Sequence, residues 1–143
     1  MVRALNDSTT VAGRLRPVLL RLGRELRREI HSLGVTGGQV SLLASIKHQP
    51  GITASELAAE ERVSAPGMSG QLVRLEAAGL IERVRATDRR RIGLFLTDEG
   101  DKVLRSVRKR RTAWLVARLE QLEPEERERI EAALGPLEKL LGE

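Results

Sequence analysis

Residues 83–91 have the sequence RVRATDRRR, in which five arginines surround a single acid, Asp88. Aliphatic residues flank this stretch, with Leu80 and Ile81 before it and the run IGLFL at residues 92–96 after it. Two short apolar runs joined by polar residues are typical of a β-hairpin, so we expect a hairpin with a cationic tip. The alternative is a solvated charge run, which is common for arginine-rich segments.

Two short helical patterns precede this hairpin. Thr53 and Glu56 have the spacing of a capping box, which opens a short helix. Ser64 can cap the next helix, predicted at residues 65–78, and Pro66 fits its first turn because no intrahelical donor is lost there. Helix, turn, helix and basic hairpin is the order of a winged helix-turn-helix, which places one helix in the DNA major groove and the hairpin beside it. The order favours double-stranded DNA as the partner.

Helical patterns also fill both ends of the chain. Leucines at spacings of three and four predict an amphipathic helix over about residues 11–33, which Gly34 ends. Thr36 and Gln39 form another capping box, Thr97 caps a long helix after the hairpin, and Pro124 begins the last helix. The predicted fold is mainly α (α+β), a winged helix-turn-helix with a helical dimerisation region from both chain ends.

We expect three parts along the chain: an N-terminal dimerisation helix at residues 1–34, the winged helix-turn-helix DNA-binding domain at 35–100, and C-terminal dimerisation helices at 101–143. The leucine stripes at the two ends are more apolar surface than one winged helix can cover, so they should pack against a second copy. The residues predicted for this dimer interface are Leu15, Leu19, Leu22, Leu134, Leu137 and Leu141.

The charge is distributed unevenly. Residues 1–119 carry 22 basic and 12 acidic side chains, a net charge of +10, whereas residues 120–143 carry 3 and 8, a net charge of −5. The basic part is therefore the predicted polyanion surface, and the acidic tail should point away from it.

Several classes of function find no support in the sequence. The chain has no cysteine, which excludes disulfides and thiolate or cysteine-based zinc chemistry. His31 and His48 have no metal-ligand partner at useful spacing, and no nucleophile-base motif or phosphate loop is present, so we predict no enzyme, no metal and no cofactor. No apolar run approaches a membrane span and no signal peptide is evident, which predicts a cytoplasmic protein without membrane contact.

Four segments carry a resemblance to a known family. These are TGGQ at residues 36–39, ITASELA at 52–58, LVRLEAAGLI at 72–81, and DRR at 88–90 followed by LTDEG at 96–100. Together they resemble the MarR family of bacterial transcription regulators over roughly the whole chain. The resemblance implies a homodimer, built from the first and the last two helices, that binds a pseudo-palindromic operator and is often released by a small phenolic or anionic ligand. In such proteins the aspartate matching Asp88 orients the arginine matching Arg90 into the minor groove.

The predicted recognition helix can also be analysed by angle. If Met68, Leu72, Leu75 and Gly79 face the core, steps of 100° put Pro66, Gly70, Val73, Arg74 and Ala77 on the opposite face, with Gly67 and Ser69 flanking it. Most residues of this outward face are small. Arg74 is the outward side chain that can bind guanine through two hydrogen bonds. A contact with a phosphate, which would not depend on the DNA sequence, is an alternative of equal weight. The residues predicted to contact DNA from this helix are Ser64, Pro66, Ser69, Gly70, Gln71 and Arg74.

Gly70 stands in the interior of this predicted helix, where glycine costs about 1 kcal/mol relative to alanine. Close approach of the helix backbone to the groove would explain it, and plain tolerance of the glycine is the alternative.

The predicted wing contacts are Asp88, Arg89, Arg90 and Arg91. A guanidinium in a narrow minor groove is favoured by the negative potential there, and a carboxylate behind it would fix its direction. We assign that inserted position to Arg90 and phosphate contacts to its neighbours. Arg83 alternates with Arg85 on one strand and can face either the DNA backbone or the neighbouring helix.

Two questions stay open from the sequence. A small-molecule effector of unknown identity is one expectation, with no binding residues assigned, and constitutive DNA binding is the other. A winged helix can also serve as a protein-protein or RNA adaptor without operator-specific DNA binding. An adaptor would be expected to lack the arginine-tipped wing or to expose an apolar patch on its recognition face, and a salt-dependent shift with random duplex would discriminate the two functions.

Overall fold

The computed structural model describes residues 7–87 and 90–142. These residues form six α-helices and one two-stranded sheet, which is the mainly α arrangement predicted from the sequence. The helices are α1 (Ser8–Arg28), α2 (Gly37–His48), α3 (Ala54–Glu61), α4 (Ala65–Ala77), α5 (Asp98–Leu119) and α6 (Pro124–Lys139), and the strands are β1 (Ile81–Arg85) and β2 (Ile92–Leu96).

The first helix is shorter than the sequence pattern predicts. The pattern extends one helix to residue 33, whereas α1 ends at Arg28 and a single 3-10 turn, His31–Leu33, follows it. Ile30 lies between these two elements and is fully buried, so the change of helical register brings its side chain into the core. Gly34 ends the turn with a φ of 76°, a left-handed conformation that glycine adopts without strain.

The predicted helix caps of the central domain are formed. At each start, a side-chain hydroxyl accepts a hydrogen bond from the backbone N–H three residues later in the chain. The bonds are Gln39 N–H to Thr36 (3.1 Å), Glu56 N–H to Thr53 (3.2 Å), Gly67 N–H to Ser64 (3.2 Å) and Gly100 N–H to Thr97 (3.0 Å). Each bond satisfies a donor that the helix itself leaves without a partner, which is why these residue types fix where α2, α3, α4 and α5 begin.

One residue of the predicted core face lies elsewhere. The angular analysis places Gly79 with Met68, Leu72 and Leu75, but only the last three are buried. Because α4 ends at Ala77, the 100° steps no longer apply at Gly79, which is exposed and has a φ of 75°.

The hairpin is joined to the helices by a third segment of chain. Strands β1 and β2 pair antiparallel, with Ile81 opposite Leu96 and Arg85 opposite Ile92. The other edge of β2 bonds to the connection between α2 and α3: Gly51 N–H donates to Leu94 O at 2.9 Å and Leu94 N–H donates to Ile52 O at 2.8 Å. Leu94 is fully buried beneath this junction.

The core lies under α2, α3, α4 and the hairpin, and it continues to Val107 of α5. Its fully buried large side chains are Ile30, Leu43, Ile46, Leu57, Met68, Leu72, Leu75 and Leu94. In contrast, α1 and α6 contain no buried residue. No helix within residues 7–87 and 90–142 is long and apolar enough to cross a membrane.

Gly100 lets the start of α5 lie directly against Leu80, in the turn between α4 and β1. The residue is buried, and a Cβ added there would overlap the carbonyl oxygen of Leu80 and lie 2.8 Å from Leu96 Cδ1. That carbonyl also accepts the N–H of Thr97 at 3.1 Å, so it cannot move away without loss of a hydrogen bond. The packing of α5 on the hairpin therefore requires glycine at this position.

Gly100→Ala should lower the free energy of unfolding by about 1 to 3 kcal/mol or more, because the added methyl group overpacks a rigid contact with backbone. The matched control is Gly70→Ala, since Gly70 is exposed inside α4 and has no atom within 4 Å of an added Cβ. This control should raise the unfolding free energy by about 0.5 to 1 kcal/mol. Urea unfolding at one fixed protein concentration measures both values. Equal stability of the two variants would contradict the predicted contact at Gly100.

Candidate nucleic-acid interface

Helix α4 begins with a cap and a proline that fix its direction. Ser64 accepts the Gly67 N–H, and Pro66 occupies the first turn, where its fixed φ suits a helix and its missing donor is not needed. Met68 and Leu72 on the inner side are 1% and 0% exposed. One face of α4 is thus held in the core, which fixes the face that is turned to solvent.

The outer face of α4 agrees with the angular prediction. Its exposed residues are Pro66, Ser69, Gly70, Val73, Arg74 and Ala77. Most of these side chains are small, and the space around Gly70 is open. A helix with such a face can approach another surface closely along its backbone.

Arg74 is the long cationic side chain of this outer face. It forms no hydrogen bond or ion pair with another residue in the described ranges, so its guanidinium donors are available for a ligand. Gln71 is half-buried at the side of the same face. Both residues are therefore placed where the sequence analysis expects them, on or beside the solvent face of α4.

The wing extends beyond the last strand pair. Ala86 N–H donates to Arg91 O at 3.0 Å, which continues the hairpin past β1 and β2 toward its tip. Arg90 is exposed there. The other two predicted wing contacts, Asp88 and Arg89, lie outside the described residues. The orientation of Arg90 by Asp88 therefore stays a prediction.

Arg91 has a protein partner that the sequence analysis does not foresee. Its Nη2 lies 2.9 Å from Oε1 of Glu56 at the start of α3, and it donates to Gly51 O at 3.4 Å. The hydroxyl of Thr53 is the main cause that lowers the pKa of Glu56, and the charge of Arg91 adds to it. The sequence identifies Glu56 only as a member of a capping box, because nothing local links it with a residue 35 positions along the chain.

Arg83 faces the neighbouring helix, which decides between the two orientations left open by the sequence. Its Nε donates to Oε2 of Glu76 in α4 at 3.1 Å. Arg85, two residues further along β1, is exposed. Two ion pairs thus connect the wing to two different helices. Arg83 of β1 pairs with α4, and Arg91, the residue before β2, pairs with α3.

The acidic first turn of α5 contains one residue, Asp101, that pairs with two cations. Asp101 pairs with Lys47 of α2 and, at 3.2 Å, with Arg105 of its own helix. The Lys47 ammonium beside Asp101 lowers the pKa of this carboxyl. The predicted surface histidines, His31 and His48, are both exposed.

Open clefts lie along α5, at a distance in sequence from the predicted DNA contacts. One cleft, of about 620 Å³, lies between α2 and α5, and its lining includes Val40, Val107, Arg108 and Arg111. Another, of about 730 Å³, runs past Trp114, whose ring is covered by Arg118 at 5.0 Å. The buried Nε of Arg111 has no hydrogen-bond partner within the described ranges. The clefts are large enough for a small organic molecule.

Comparison with known proteins agrees with this architecture. A profile of the MarR family matches residues 33–92. The HTH-type transcriptional repressor MdtR of Bacillus subtilis is 34% identical over 113 residues, which cover 78% of this chain and 73% of MdtR.

Solved structures extend the similarity over the remaining helices. A structure of a putative transcriptional regulator from Pseudomonas aeruginosa is 34% identical, covers 96% of this chain and 97% of its own, and superposes with a TM-score of 0.82. The structure of MarR is 29% identical, with coverage of 89% and 96% and a TM-score of 0.71. With its capped recognition helix, its arginine-bearing wing and these relatives, the chain belongs to the MarR family of winged helix-turn-helix transcription regulators, which are DNA-binding proteins and not enzymes.

Proposed function

We propose that this protein is a repressor that binds a pseudo-palindromic operator as a homodimer. The observation that carries the proposal is the pairing of two surfaces in one domain, the exposed small-residue face of α4 and the arginine-bearing hairpin beside it. A helix of this kind fits the major groove while the hairpin reaches the adjacent groove. The similar repressor MdtR supports the sign of regulation.

In this proposal α4 reads the bases. Its DNA contacts are Ser64, Pro66, Ser69, Gly70, Gln71 and Arg74. Arg74 has the donors for a bidentate contact with guanine O6 and N7, or for a phosphate, and the two roles differ in whether they depend on sequence. Ser69 and Gln71 can donate to bases or phosphates, and the absence of a Cβ at Gly70 lets the helix backbone lie close to the groove.

The wing supplies the second contact. Arg90 enters the minor groove, where the negative potential is strongest over narrow A·T-rich sequence, and Asp88 aligns it through a bidentate pair. Arg89 binds phosphate beside it.

The adaptor alternative is less favoured by the surface of α4. Among the exposed residues of its outer face, Val73 is the one large aliphatic side chain in the described structure, and it is 55% exposed. A single exposed valine is not the contiguous apolar patch on which a protein partner would dock. Binding to random duplex that weakens with added salt would support DNA as the partner.

The dimer is proposed from the end helices. Exposed apolar residues follow both of them, in α1 Val11, Val18, Leu19, Leu20 and Leu22, and in α6 Ile130 and Leu134, with Leu140 and Leu141 after it. Leu15 and Leu137 are half-buried beside them. A second copy related by a two-fold axis would cover these stripes and place two recognition helices on successive major grooves, about 34 Å apart. Release by a small ligand stays a prediction, for which the clefts along α5 offer the space.

Changing Leu134 and Leu137 together to Glu should give monomers, because four buried charges per dimer would have to be desolvated. Operator binding should weaken greatly, since each monomer then holds one half-site. The control is Gln121→Glu with Ala132→Glu, which adds the same charge at exposed positions away from the leucines. Sedimentation measures the mass, expected at twice 15.8 kDa for the wild type and the control. A monomeric wild type at micromolar concentration would remove the dimer from the proposal.

Three single variants separate the roles of α4 and the wing. Arg90→Ala should weaken binding to any duplex and flatten the plot of log affinity against log salt by roughly one unit. Asp88→Ala should also weaken binding, although the loss of a negative charge would by itself tighten it. Arg74→Ala should cost about 1 to 3 kcal/mol on the operator and much less on random duplex if Arg74 reads a guanine. Tighter binding by Asp88→Ala would show that the wing is a diffuse basic patch.

Gly70→Ala tests close approach of the α4 backbone. The variant should weaken operator binding even though it stabilises the free protein, because a methyl group would stand between the helix and the groove. Gly38→Ala is the matched control, since Gly38 is an exposed helix glycine outside the proposed DNA and dimer contacts, and an added Cβ there would meet only Thr36 Oγ1 at 3.9 Å. Unchanged operator affinity in both variants would show that Gly70 is simply tolerated.

A further inference from the structure

The wing is tied to α3 by one side chain at the point where β2 begins. Arg91 immediately precedes β2, and Glu56 lies in the first turn of α3. Their guanidinium and carboxylate atoms are 2.9 Å apart, and the same nitrogen of Arg91 also donates to Gly51 O. The pair joins two elements that are distant in sequence and that both belong to the DNA-binding domain.

The side chain of Glu56 is also held in place by Thr53, independently of Arg91. The Thr53 hydroxyl donates to Oε1 of Glu56 at 2.8 Å, and the Glu56 N–H donates back to that hydroxyl at 3.2 Å. The second of these bonds belongs to the capping box of α3, whose other bond runs from the Thr53 N–H to Oε1 of Glu56 at 3.4 Å. Because Thr53 holds this oxygen by two donors, the carboxylate has less rotational freedom to lose when it binds a cation. It is a fixed anchor on a rigid helix, with a lowered pKa that keeps it charged.

Backbone contacts hold the part of β2 that follows the Glu56–Arg91 ion pair. The bonds of Gly51 and Ile52 to Leu94 hold the middle of β2, and a Cβ at Gly93 would lie 3.0 Å from Gly51 Cα, so the two chains touch there. The next contact toward the hairpin tip is the ion pair of Arg91 with Glu56. Arg90 lies one residue closer to the tip. Rotation of the tip about the root of β2 is therefore limited by the side chain of Arg91.

We propose that Arg91 is a positioning residue, held by Glu56 and not by a DNA phosphate, which sets the direction of the wing tip relative to α4. The inference rests on the proposed function, because the tip carries Arg90. An exposed ion pair of this kind adds little to stability, but it removes motion that DNA binding would otherwise have to freeze. Arg91 then contributes to affinity through the position of Arg90, and its own charge is already neutralised by Glu56.

A cycle of three variants tests this role: Glu56→Gln, Arg91→Gln and the double variant. In Glu56→Gln, glutamine keeps the length of the side chain and can preserve the capping box, whereas in Arg91→Gln it is shorter than arginine and removes the guanidinium group. We expect each single variant to lose about three- to tenfold in operator affinity and the double variant to lose no more than either one. The slope of log affinity against log salt should stay unchanged in Arg91→Gln, because an arginine that contacts no phosphate displaces no counterion from the DNA.

Glu82→Gln is the matched control. Glu82 is exposed on β1 and forms no ion pair within the described ranges. Like Glu56→Gln, the variant removes one negative charge from this domain, but it breaks no ion pair. It should bind DNA as well as the wild type or slightly better. If Glu56→Gln also tightens binding and Arg91→Gln flattens the salt plot by about one unit, Arg91 contacts phosphate and the positioning role is wrong.

A second measurement works without DNA and separates this inference from the proposed function. The chain has no cysteine, so Thr87→Cys gives one site for a nitroxide label beside the tip. The electron paramagnetic resonance lines of this label should narrow in Glu56→Gln and Arg91→Gln and stay unchanged in Glu82→Gln. Unchanged lines in the first two variants would overturn the positioning role, even if operator binding is found. Narrowed lines in a protein that prefers no operator would instead contradict only the proposed function.

Discussion

The arrangement of the DNA-binding domain depends on the contact of β2 with the chain between α2 and α3. Two backbone hydrogen bonds through Leu94 attach Gly51 and Ile52 to the hairpin as an isolated β-bridge. Gly51 has a φ of 90°, and a side chain at Gly93 would meet its backbone, so glycine is needed on both sides. Because the same connection leads directly into α3, this contact fixes the hairpin against the helices that carry the recognition face.

Acidic residues around this junction act as anchors for cations. Glu56 binds Arg91, Glu76 binds Arg83, and Asp101 binds Lys47, and in each pair the two groups belong to different elements. Surface ion pairs of this kind contribute little to the free energy of unfolding. In the described structure they connect the wing to α3 and α4, and α5 to α2.

Local signals in the sequence were sufficient to predict most elements. Side-chain oxygens at Thr36, Thr53, Ser64 and Thr97 satisfy helix donors a few residues away, so the starts of four helices follow from short patterns. The exposed and buried faces of α4 also follow, because helical periodicity is a property of the helix itself. The exposed positions predicted for Pro66, Gly70, Val73, Arg74 and Ala77 are confirmed.

Features that depend on distant residues could not be predicted in this way. The break after α1 arises because Ile30 is buried by the core, and the pair of Glu56 with Arg91 joins positions 35 residues apart. Periodicity and capping rules contain no term for such contacts, so the sequence analysis predicts a phosphate contact for Arg91, as it does for Arg89. Sequence patterns therefore locate the wing correctly and leave the partner of each arginine open.

The same pairs change what the positive charge of this protein means for DNA binding. Residues 1–119 contain 22 basic side chains, but Lys47, Arg83, Arg91 and Arg105 already have acidic partners in the free protein. Counterions leave the DNA where a cation neutralises a phosphate, so the salt dependence of binding reports on the cations that reach phosphates and not on the total number of basic side chains. In the proposed function, net charge attracts the domain to DNA, and the acidic partners limit which cations can reach the grooves.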